Sequence, residues 1–358
     1  MSVWQSIPLP LAQLRLALVL PAGQSFRWRA DNDQYSFCLR DRVICLKQDD
    51  ANLYHRTIYP DPQPDATQKT LRDAETLVWL RDYFSLDVDL VALYAQWQAR
   101  DPVFSKVGAR FSGIRILRQD PFENLCSFIC SSNNNISRIS KMVNALCTGF
   151  SPQLLTHDGH AYHPFPSPAV LAAPNVEAKL RDLGFGYRAK FIQKTAQMLV
   201  ETHGESDNAE KFLVGLREKD TDTAREELLK LMGVGRKVAD CVLLMSLDKK
   251  DVVPVDTHVF QIAVKHYGLR ASLTSKPNMT PKLYADINSL LVQKWGDYSG
   301  WAQSVLFTSD LKVFANYDAS SSVALPTPPP TPSPSPRKRK TDATPSAPSP
   351  LGKRRRAM

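Results

Sequence analysis

The strongest constraint on the fold is a glycine-rich turn within "LMGVGRKVADCVL", residues 231–243. The turn joins an amphipathic segment, "AREELLKL", to a second helical segment that begins near Arg236. Gly233 and Gly235 permit positive φ angles and a close approach of the backbone to a ligand. The first N–H groups of the second helix have no partner within that helix. The turn therefore predicts a helical hairpin that can bind an anion such as phosphate, although many such turns are only turns.

Two chemically active side chains follow this turn. Lys237 lies in the first turn of the second helix, where the positive end of the helix dipole favours a neutral, nucleophilic amine. Asp256 follows nineteen residues later in "PVDTH", where it can cap the next helix and be held in place by doing so. The plain alternative is a solvated surface lysine and an ordinary capping aspartate.

The first part of the chain has the pattern of an antiparallel sheet. The runs "QYSFCLRDRVICLKQ" and "LYHRTIYP" alternate apolar and polar residues, and the turn clusters "RADND" and "DDAN" separate them. The apolar run "LALVL" is interpreted as a further strand. Two segments with helical spacing of apolar residues follow, so we expect helices on one face of the sheet.

From about residue 116 the pattern becomes helical, with two helices on either side of the run "SSNNN". The predicted fold class is α+β, with a small sheet domain packed on a mostly helical body. The predicted divisions are an N-terminal antiparallel β-sheet/α domain, a helical domain with its hairpin at about 222–247, and a Pro-rich tail. These three parts correspond to residues 1–115, 116–318 and 319–358.

The net charge of +9 is concentrated in the tail. From residue 320 onward there are eight of the 45 Lys and Arg residues but one of the 36 acidic residues, so the body carries only +2. A body that binds nucleic acid must therefore use a local patch.

The tail is rich in Pro, Ser and Thr, which predicts disorder. Its two basic clusters predict recognition by the nuclear import machinery and hence a nuclear protein, the alternative being a generic basic tail. The clusters consist of Arg337, Lys338, Arg339, Lys340, Lys353, Arg354, Arg355 and Arg356.

Composition also excludes several classes of protein. No apolar run approaches the ~20 residues that span a bilayer, so no membrane association is expected. The six cysteines lack the spacing of a zinc site or an iron–sulfur cluster, and reduced thiols fit best. The N-terminus has no basic region before its apolar stretch, which argues against a signal peptide. Pro8 and Pro10 argue against a mitochondrial presequence, although a mitochondrial pool stays open.

Five segments together carry a resemblance to a known family. In chain order they are "LVLPAGQSFRWR", "LRQDPFENLCSFICSSNNNISRI", "LGFGYRAKF", "LMGVGRKVADCVLLMSLD…VPVDTHVF" and "GWAQSVLF". The sequence from about residue 3 to 312 resembles the eukaryotic 8-oxoguanine DNA glycosylases, within the helix–hairpin–helix, Gly/Pro-Asp superfamily. Met232 departs from this pattern, because the family often has Pro in the hairpin.

The resemblance implies a fold and an activity. The N-terminal sheet domain should be similar to the TATA-binding protein, and the active site should lie in the cleft between helical subdomains. The expected protein is a monomeric, cofactor-independent glycosylase and abasic-site lyase. It would excise 8-oxoguanine opposite cytosine from damaged double-stranded DNA in base excision repair. Carbonyls of the hairpin near Gly233 and Gly235 could hold a monovalent cation, and no other metal is expected.

The resemblance also implies the roles of individual residues. Lys237 would attack C1′ of the flipped nucleotide and form a Schiff base, and Asp256 would stabilise the cationic transition state. The base pocket would be lined by Gly23, Cys241, Gln303, Phe307 and Asp310. Without the resemblance, Gly23 would be a turn glycine and "WAQSVLF" the core face of an amphipathic helix.

A second group would open the strand and contact the DNA. Asn133 would fill the gap left by the extruded base, Arg138 and Arg188 would bind the orphaned cytosine, and Tyr187 would wedge into the stack. His258 would contact a phosphate. Taken alone, "SSNNN" is more often a capping or turn run, and His258 is an ordinary residue of a first helical turn.

Two other hypotheses remain at this point. The chain could be a non-catalytic DNA-binding module, but such a module has no need of both Lys237 and Asp256. It could also be a related glycosylase for another lesion. "PAGQSF" and the pair Gln303 and Phe307 favour an oxidised purine, and the absence of a cysteine cluster argues against the iron–sulfur branch.

Overall fold

The structure, a computed structural model, describes residues 3–269 and 279–317. The predicted tail, including its import signal, lies outside these described residues. Five strands form an antiparallel sheet in the spatial order β1-β5-β4-β3-β2. Their bounds are β1 Gln5–Pro8, β2 Arg29–Asp31, β3 Gln34–Cys38, β4 Val43–Gln48 and β5 Asn52–Ile58. The antiparallel sheet predicted from the alternating runs is confirmed.

Two local predictions in this region are wrong. "LALVL" contains a short helix, α1, at Leu16–Val19 rather than a strand, and its apolar side chains are buried on several sides. An apolar run of this length cannot distinguish strand from helix. In "RADND" only Asn32 and Asp33 form the turn, with φ angles of 45° and 59°. The three residues before them are strand β2, which pairs with β3.

Fourteen further α-helices occur in the described ranges. Acidic side chains accept backbone N–H bonds at the starts of α2 to α5, where Asp65, Asp89, Asp101 and Asp120 are the N-caps. The first seven of the helices are α2 Ala66–Tyr83, α3 Leu90–Arg100, α4 Pro102–Arg110, α5 Pro121–Ile129, α6 Ile136–Phe150, α7 Pro168–Ala172 and α8 Val176–Asp182. The others are α9 Arg188–His203, α10 Ser206–Gly215, α11 Thr221–Leu229, α12 Arg236–Ser246, α13 Thr257–His266, α14 Pro281–Trp295 and α15 Ser299–Asp310.

The helical predictions are largely confirmed. The helices on either side of "SSNNN" are α5 and α6, and the predicted hairpin is formed by α11 and α12. In the part of the chain that the structure describes, no helix combines the length and the apolarity needed to cross a bilayer.

A small hairpin inside the helical region was not predicted. Strands β6, Leu155–His157, and β7, His160–Tyr162, pair antiparallel across a turn at Asp158 and Gly159. Both turn residues have positive φ. The Tyr162 hydroxyl lies 2.8 Å from the Ser36 hydroxyl of β3, so the hairpin is joined to the main sheet.

Two large hydrophobic cores fill the helical body. The first core buries side chains from α5 to α12, and the second buries side chains from α3, α4 and α13 to α15. A third core lies between the sheet and α2. The predicted boundary near residue 115 stays a prediction, and this packing favours moving α3 and α4 into the helical domain.

Candidate active site

The hairpin between α11 and α12 contains one glycine that the backbone requires. Gly233 has a φ of +80°, and a Cβ there would lie 2.5 Å from the Phe191 ring. Gly235 has a φ of −92° and is the N-cap of α12, with no side-chain cap and open space where a larger side chain would begin. The expected positive φ is therefore found at Gly233 but not at Gly235, where close approach of the backbone to a ligand stays a prediction. The missing cap leaves the first N–H groups of α12 free of side-chain acceptors.

Lys237 is half-buried in the first turn of α12 and is held by α5. Its Nζ donates to the Ser131 hydroxyl at 3.1 Å and lies 4.9 Å from the centre of the Phe128 ring. The Ser131 hydroxyl in turn donates to the Phe128 carbonyl at 2.7 Å. Ser131 can therefore accept from Lys237 while its own proton is used elsewhere. The amine is fixed at the end of α5 rather than free in solvent.

Asp256 is the N-cap of α13, as predicted. Its carboxylate accepts from the backbone N–H groups of His258 at 2.9 Å and Val259 at 3.0 Å. The flanking Val255 and Val259 are buried in the second core, whereas Val238, beside Lys237, is buried in the first. The lysine and the aspartate are therefore anchored in different cores.

Cys241 lies one turn after Lys237 on α12 and is almost fully buried. Burial raises the pKa of the Cys241 thiol to about 11, while Lys237 opposes this rise and Asp256 adds to it. Both Lys237 and Asp256 are therefore close enough to Cys241 to affect its thiol electrostatically, so these three predicted site residues lie near one another.

The loop that contains Gly23 is fixed by the neighbouring Gln24 side chain. The Gln24 amide donates to the Arg115 carbonyl at 3.0 Å and accepts from the Leu117 N–H at 2.9 Å. Gly23 has a φ of +81°, and a Cβ there would lie 2.8 Å from Cδ1 of Ile136. The loop thus packs against the first residue of α6, directly after the "SSNNN" run.

Helix α15 brings the other predicted pocket residues together. Gln303 is 6% exposed and Phe307, one turn later, is half-buried. The His258 ring meets the Phe307 ring edge-on, with centroids 5.6 Å apart. His258 Nδ1 also lies 3.6 Å from an Asp310 carboxylate oxygen, and Lys265 lies at the same distance from the other oxygen. Asp310 is thus next to the start of α13, on which Asp256 is the cap.

The four residues predicted to open the strand lie around the "SSNNN" loop. The Tyr187 hydroxyl donates to the Ser132 carbonyl at 3.0 Å. Arg188 donates to the carbonyls of Ser132 and Asn133, the latter at 3.3 Å. Arg138 lies near the same loop, in the first turn of α6, and donates to the carbonyl of residue 184 at 3.4 Å.

Their exposure differs sharply. Asn133 and Arg138 are exposed and Tyr187 is 48% exposed, whereas Arg188 is 3% exposed. Asn133 also has a φ of 48°, in the left-handed region that asparagine tolerates. Arg188 therefore holds the "SSNNN" loop from its buried side through the loop carbonyls, while Asn133, Arg138 and Tyr187 are accessible to solvent.

Comparisons with known proteins agree with this geometry. Residues 6–125 match the model of the 8-oxoguanine DNA glycosylase N-terminal domain, and residues 126–285 match that of HhH-GPD superfamily base excision DNA repair proteins. The chain is 41% identical over 326 residues to the N-glycosylase/DNA lyase of Saccharomyces cerevisiae, with 84% of each protein covered. It belongs to the eukaryotic 8-oxoguanine DNA glycosylase/lyase family.

Other members of this family and its structures extend the comparison. The N-glycosylase/DNA lyase OGG1 of Arabidopsis thaliana is 36% identical over 312 residues, covering 86% of this chain and 80% of the plant protein. The Clostridium acetobutylicum 8-oxoguanine glycosylase/lyase was solved with double-stranded DNA containing cytosine opposite 8-oxoguanine. That structure has a TM-score of 0.68 and 28% identity, and the match covers 86% of this chain and 96% of the bacterial one.

Sequence reasoning missed two residues beside the family's lysine. Ser131 and Phe128 contact Lys237, but both belong to segments that the sequence interpretation treated as a helix and a turn run. The signal for Ser131 was its place immediately after α5, where a short hydroxyl side chain can reach a neighbouring helix. Phe128 gave no signal, because an apolar residue in an amphipathic helix is usually core.

Two carbonyls at the turn predicted to hold a cation already accept hydrogen bonds from the protein. The Gly235 carbonyl accepts the Ala239 N–H at 3.0 Å, and the Met232 carbonyl accepts the Thr195 hydroxyl at 2.7 Å. Binding of a cation at this turn stays a prediction. Across residues 3–269 and 279–317, no group of three or more His, Cys, Asp or Glu side chains has a metal-binding arrangement.

Proposed function

We propose that this protein is a bifunctional DNA glycosylase and abasic-site lyase that removes 8-oxoguanine opposite cytosine from duplex DNA. The observation that carries the proposal is the position of Lys237. Its amine lies in the first turn of a helix whose N-terminus has no side-chain cap, and it shares its surroundings with Cys241 and Asp256. A non-catalytic DNA-binding module would not require this arrangement.

The open start of α12 supports DNA binding. A phosphate of the duplex can accept hydrogen bonds from the free N–H groups near Gly235, where the helix dipole also favours an anion. Arg236 adds a positive charge at the same end. Because the damaged nucleotide is inaccessible within the stack, it must rotate out of the duplex before Lys237 can reach it.

The chemistry follows from an amine and a carboxylate. Neutral Lys237 attacks C1′ of the flipped nucleotide, and the bond from C1′ to the base breaks with its electron pair leaving on the base, which takes up a proton. Asp256, held as a helix cap, stabilises the positive charge that develops on the sugar. Loss of a proton from nitrogen and opening of the sugar ring give a Schiff base. Removal of the C2′ proton then expels the 3′ phosphate, which nicks the strand.

The base pocket would distinguish 8-oxoguanine from guanine by hydrogen bonding and shape. The Gly23 carbonyl is proposed to accept from N7–H, which only the oxidised base has, and the rigid loop around Gln24 supports this role. One buried hydrogen bond contributes ~1–3 kcal/mol, so it cannot be the whole basis of selection. Gln303 is proposed to bind the Watson–Crick edge, with Phe307 and Cys241 on the two faces of the base.

The loop after α5 is proposed to face the base pair that has been opened. Asn133 would occupy the gap and Tyr187 would insert beside it, and their exposure supports both roles. Arg138 and Arg188 would bind the orphaned cytosine. For Arg188 this requires a local rearrangement, because its guanidinium is buried against the loop carbonyls. His258, with Asp310 beside it, would contact a phosphate.

We further propose that the enzyme is a monomer, needs no cofactor, and works in the nucleus. The two basic clusters of the tail, which begin at Arg337 and Lys353, would direct its import. Fluorescence microscopy of the tagged full chain and of a variant with all eight basic tail residues changed to Gln tests this. Exclusion of that variant from the nucleus supports the proposal, and equal nuclear entry contradicts it.

Borohydride trapping tests the proposed reaction. The substrate is a duplex with one 8-oxoguanine opposite cytosine, and the proteins are wild type, Lys237→Gln and Lys230→Gln. Lys230 is an exposed lysine of the same hairpin, so its variant is a matched control for loss of one charge. We expect a covalent adduct with wild type and Lys230→Gln only. Tight binding of this duplex by wild type without any adduct would favour a non-catalytic DNA-binding module.

A further inference from the structure

One buried carboxylate of α12 is not used by the mechanism described above. Asp240 is fully buried and lies three residues after Lys237 and directly before Cys241. Its Oδ1 accepts from Nε of Arg225 on α11 at 2.8 Å. Its Oδ2 accepts from the hydroxyl of Tyr284 on α14 at 2.5 Å. The carboxylate is therefore connected to two other helices.

The hydroxyl of Tyr284 has a second partner. It accepts a hydrogen bond of 3.0 Å from the backbone N–H of Val255, the residue before Asp256. A single oxygen atom thus connects the carboxylate beside Lys237 to the backbone beside Asp256. Tyr284 is 3% exposed, so water cannot replace this oxygen without a rearrangement of the core.

The protonation of this hydroxyl is fixed by its surroundings. Burial and the Asp240 carboxylate both raise the pKa of Tyr284 far above its ordinary value, so the phenol remains neutral. A neutral phenol has one proton to donate and lone pairs to accept with. The hydroxyl proton points to Asp240 and a lone pair points to the Val255 N–H. The direction of each hydrogen bond is therefore fixed, and so is the position of α12 relative to Val255.

The connection matters because the two proposed reacting groups are anchored separately. The first core surrounds the Lys237 side of α12, and the second core surrounds Val255 and the start of α13. Helix α14 belongs to the second core, and Tyr284 extends from it to α12. We propose that Tyr284, through Asp240, is a positioning residue that sets the distance between Lys237 and Asp256. This inference rests on the proposed function and adds a residue to it.

The second core contains a matched control. Tyr94 is 6% exposed, and its hydroxyl donates to the Phe111 carbonyl at 2.8 Å and accepts from the Ile114 N–H at 3.3 Å. Tyr94→Phe therefore also removes one donated and one accepted hydrogen bond from the second core, although Tyr94 donates to a backbone carbonyl and Tyr284 to a carboxylate. Neither partner of Tyr94 adjoins Lys237 or Asp256 in the chain.

The experiment compares wild type, Tyr284→Phe and Tyr94→Phe at a temperature well below the Tm of each protein. Single-turnover base release is measured on the 8-oxoguanine:cytosine duplex, and Kd is measured on a duplex with an uncleavable tetrahydrofuran abasic analogue. We expect both variants to lose thermal stability, Tyr284→Phe more than Tyr94→Phe because its acceptor is charged, and both to keep the duplex Kd. Only Tyr284→Phe should release base more slowly, by ~10-fold or more, because a small misplacement of reacting groups costs rate rather than affinity.

Each outcome decides one point. Equal rates for Tyr284→Phe and wild type, or equal rate losses in the two tyrosine variants, overturn the positioning role while leaving the proposed function intact. No base release by wild type overturns the proposed function and this inference together. If Tyr284→Phe does not fold, Asp240→Leu replaces it, since leucine has a similar size but no oxygen that could accept from the hydroxyl. A wild-type rate in Asp240→Leu would then contradict the proposal.

Discussion

Helices α12 and α13 both begin beside the candidate active site, but their first N–H groups have different partners. At the start of α12, Gly235 offers no side chain, so those N–H groups stay open to an external acceptor. At the start of α13, the Asp256 carboxylate accepts from two N–H groups itself. A helix start can therefore serve two purposes: an open one suits an external anion, as proposed for α12, and a capped one holds a carboxylate in place, as at α13.

This difference accounts for the types of residue at the two positions. An external phosphate needs a small residue at the helix start, whereas a fixed catalytic carboxylate needs hydrogen-bond donors around it. Lys237 follows the open end and Asp256 forms the closed one. The variants below alter the residues at or near the two helix starts one at a time, in order of decreasing expected effect.

Removal of the Asp256 carboxylate should have the largest effect. Asp256→Asn keeps an oxygen that can cap α13 but loses the negative charge, so we expect base release to fall by ~10²–10³-fold with little change in stability. Asp256→Ala should show the same loss of rate and in addition lose ~1 kcal/mol of unfolding free energy. Single-turnover kinetics and urea unfolding measure the two effects.

Asp65→Ala is the control for the cap alone. Asp65 accepts from the Gln68 N–H at 2.8 Å at the start of α2, a helix that carries none of the proposed site residues. It should lose stability without losing rate. If Asp256→Asn released base as fast as wild type, the capping role would be sufficient and the catalytic role of Asp256 would be wrong.

Gly233→Ala should have the next largest effect, on stability. The residue has a positive φ and its new Cβ would meet the Phe191 ring at 2.5 Å, so we expect a loss of about 2–3 kcal/mol of unfolding free energy. Thermal and urea unfolding measure the loss. A fully stable Gly233→Ala would show that the hairpin adapts and that its turn is less constrained than the structure indicates.

Gly235→Ala separates binding from stability in the same turn. Its φ of −92° suits any residue and nothing lies near the added Cβ, so the unfolding free energy should be unchanged. The methyl group would stand beside the open N–H groups, and we expect duplex affinity to fall by a few fold, or roughly 1 kcal/mol. Fluorescence anisotropy at fixed salt measures this. An unchanged affinity would argue that no phosphate approaches the start of α12.

The smallest effect concerns the buried thiol of Cys241 on α12. Folding raises the pKa of Cys241 to about 11, so the unfolded thiol loses its proton at lower pH than the folded one. Its contribution to stability is therefore complete below pH ~9 and is lost as the pH rises toward 11. The unfolding free energy of wild type should fall between pH 8 and 10.5, and in Cys241→Ala this fall should be smaller by an amount on the order of 1 kcal/mol. Urea unfolding across this pH range measures the difference. Identical alkaline slopes for wild type and variant would contradict it.

The sequence carried enough information to predict the hairpin and the capping of α13. Both depend on local chemistry, because Gly233 must take a left-handed φ and Asp256 precedes a helical run. The short hairpin β6 and β7 was also within reach, since Asp158 and Gly159 form a dipeptide typical of tight turns. Its strands were missed because three residues are too few to show alternation.

The contacts between distant segments could not be predicted in this way. Tyr284 reaches Asp240 across 44 positions in the chain, and Ser131 meets Lys237 across 106. Nothing in the local pattern around either residue distinguishes it from other polar residues of helices and turns. Such contacts follow from the packing of whole helices, which depends on the two cores rather than on neighbouring residues.

The carbonyl of Ser132 has a consequence for the speed of recognition. It accepts a hydrogen bond from the Tyr187 hydroxyl, so the proposed wedge is already ordered before any duplex arrives. The conformational entropy of this side chain is then lost during folding rather than during association. A surface prepared in this way can test each base pair of a passing duplex in a brief encounter. An enzyme that must search a very large excess of undamaged DNA benefits from that brevity.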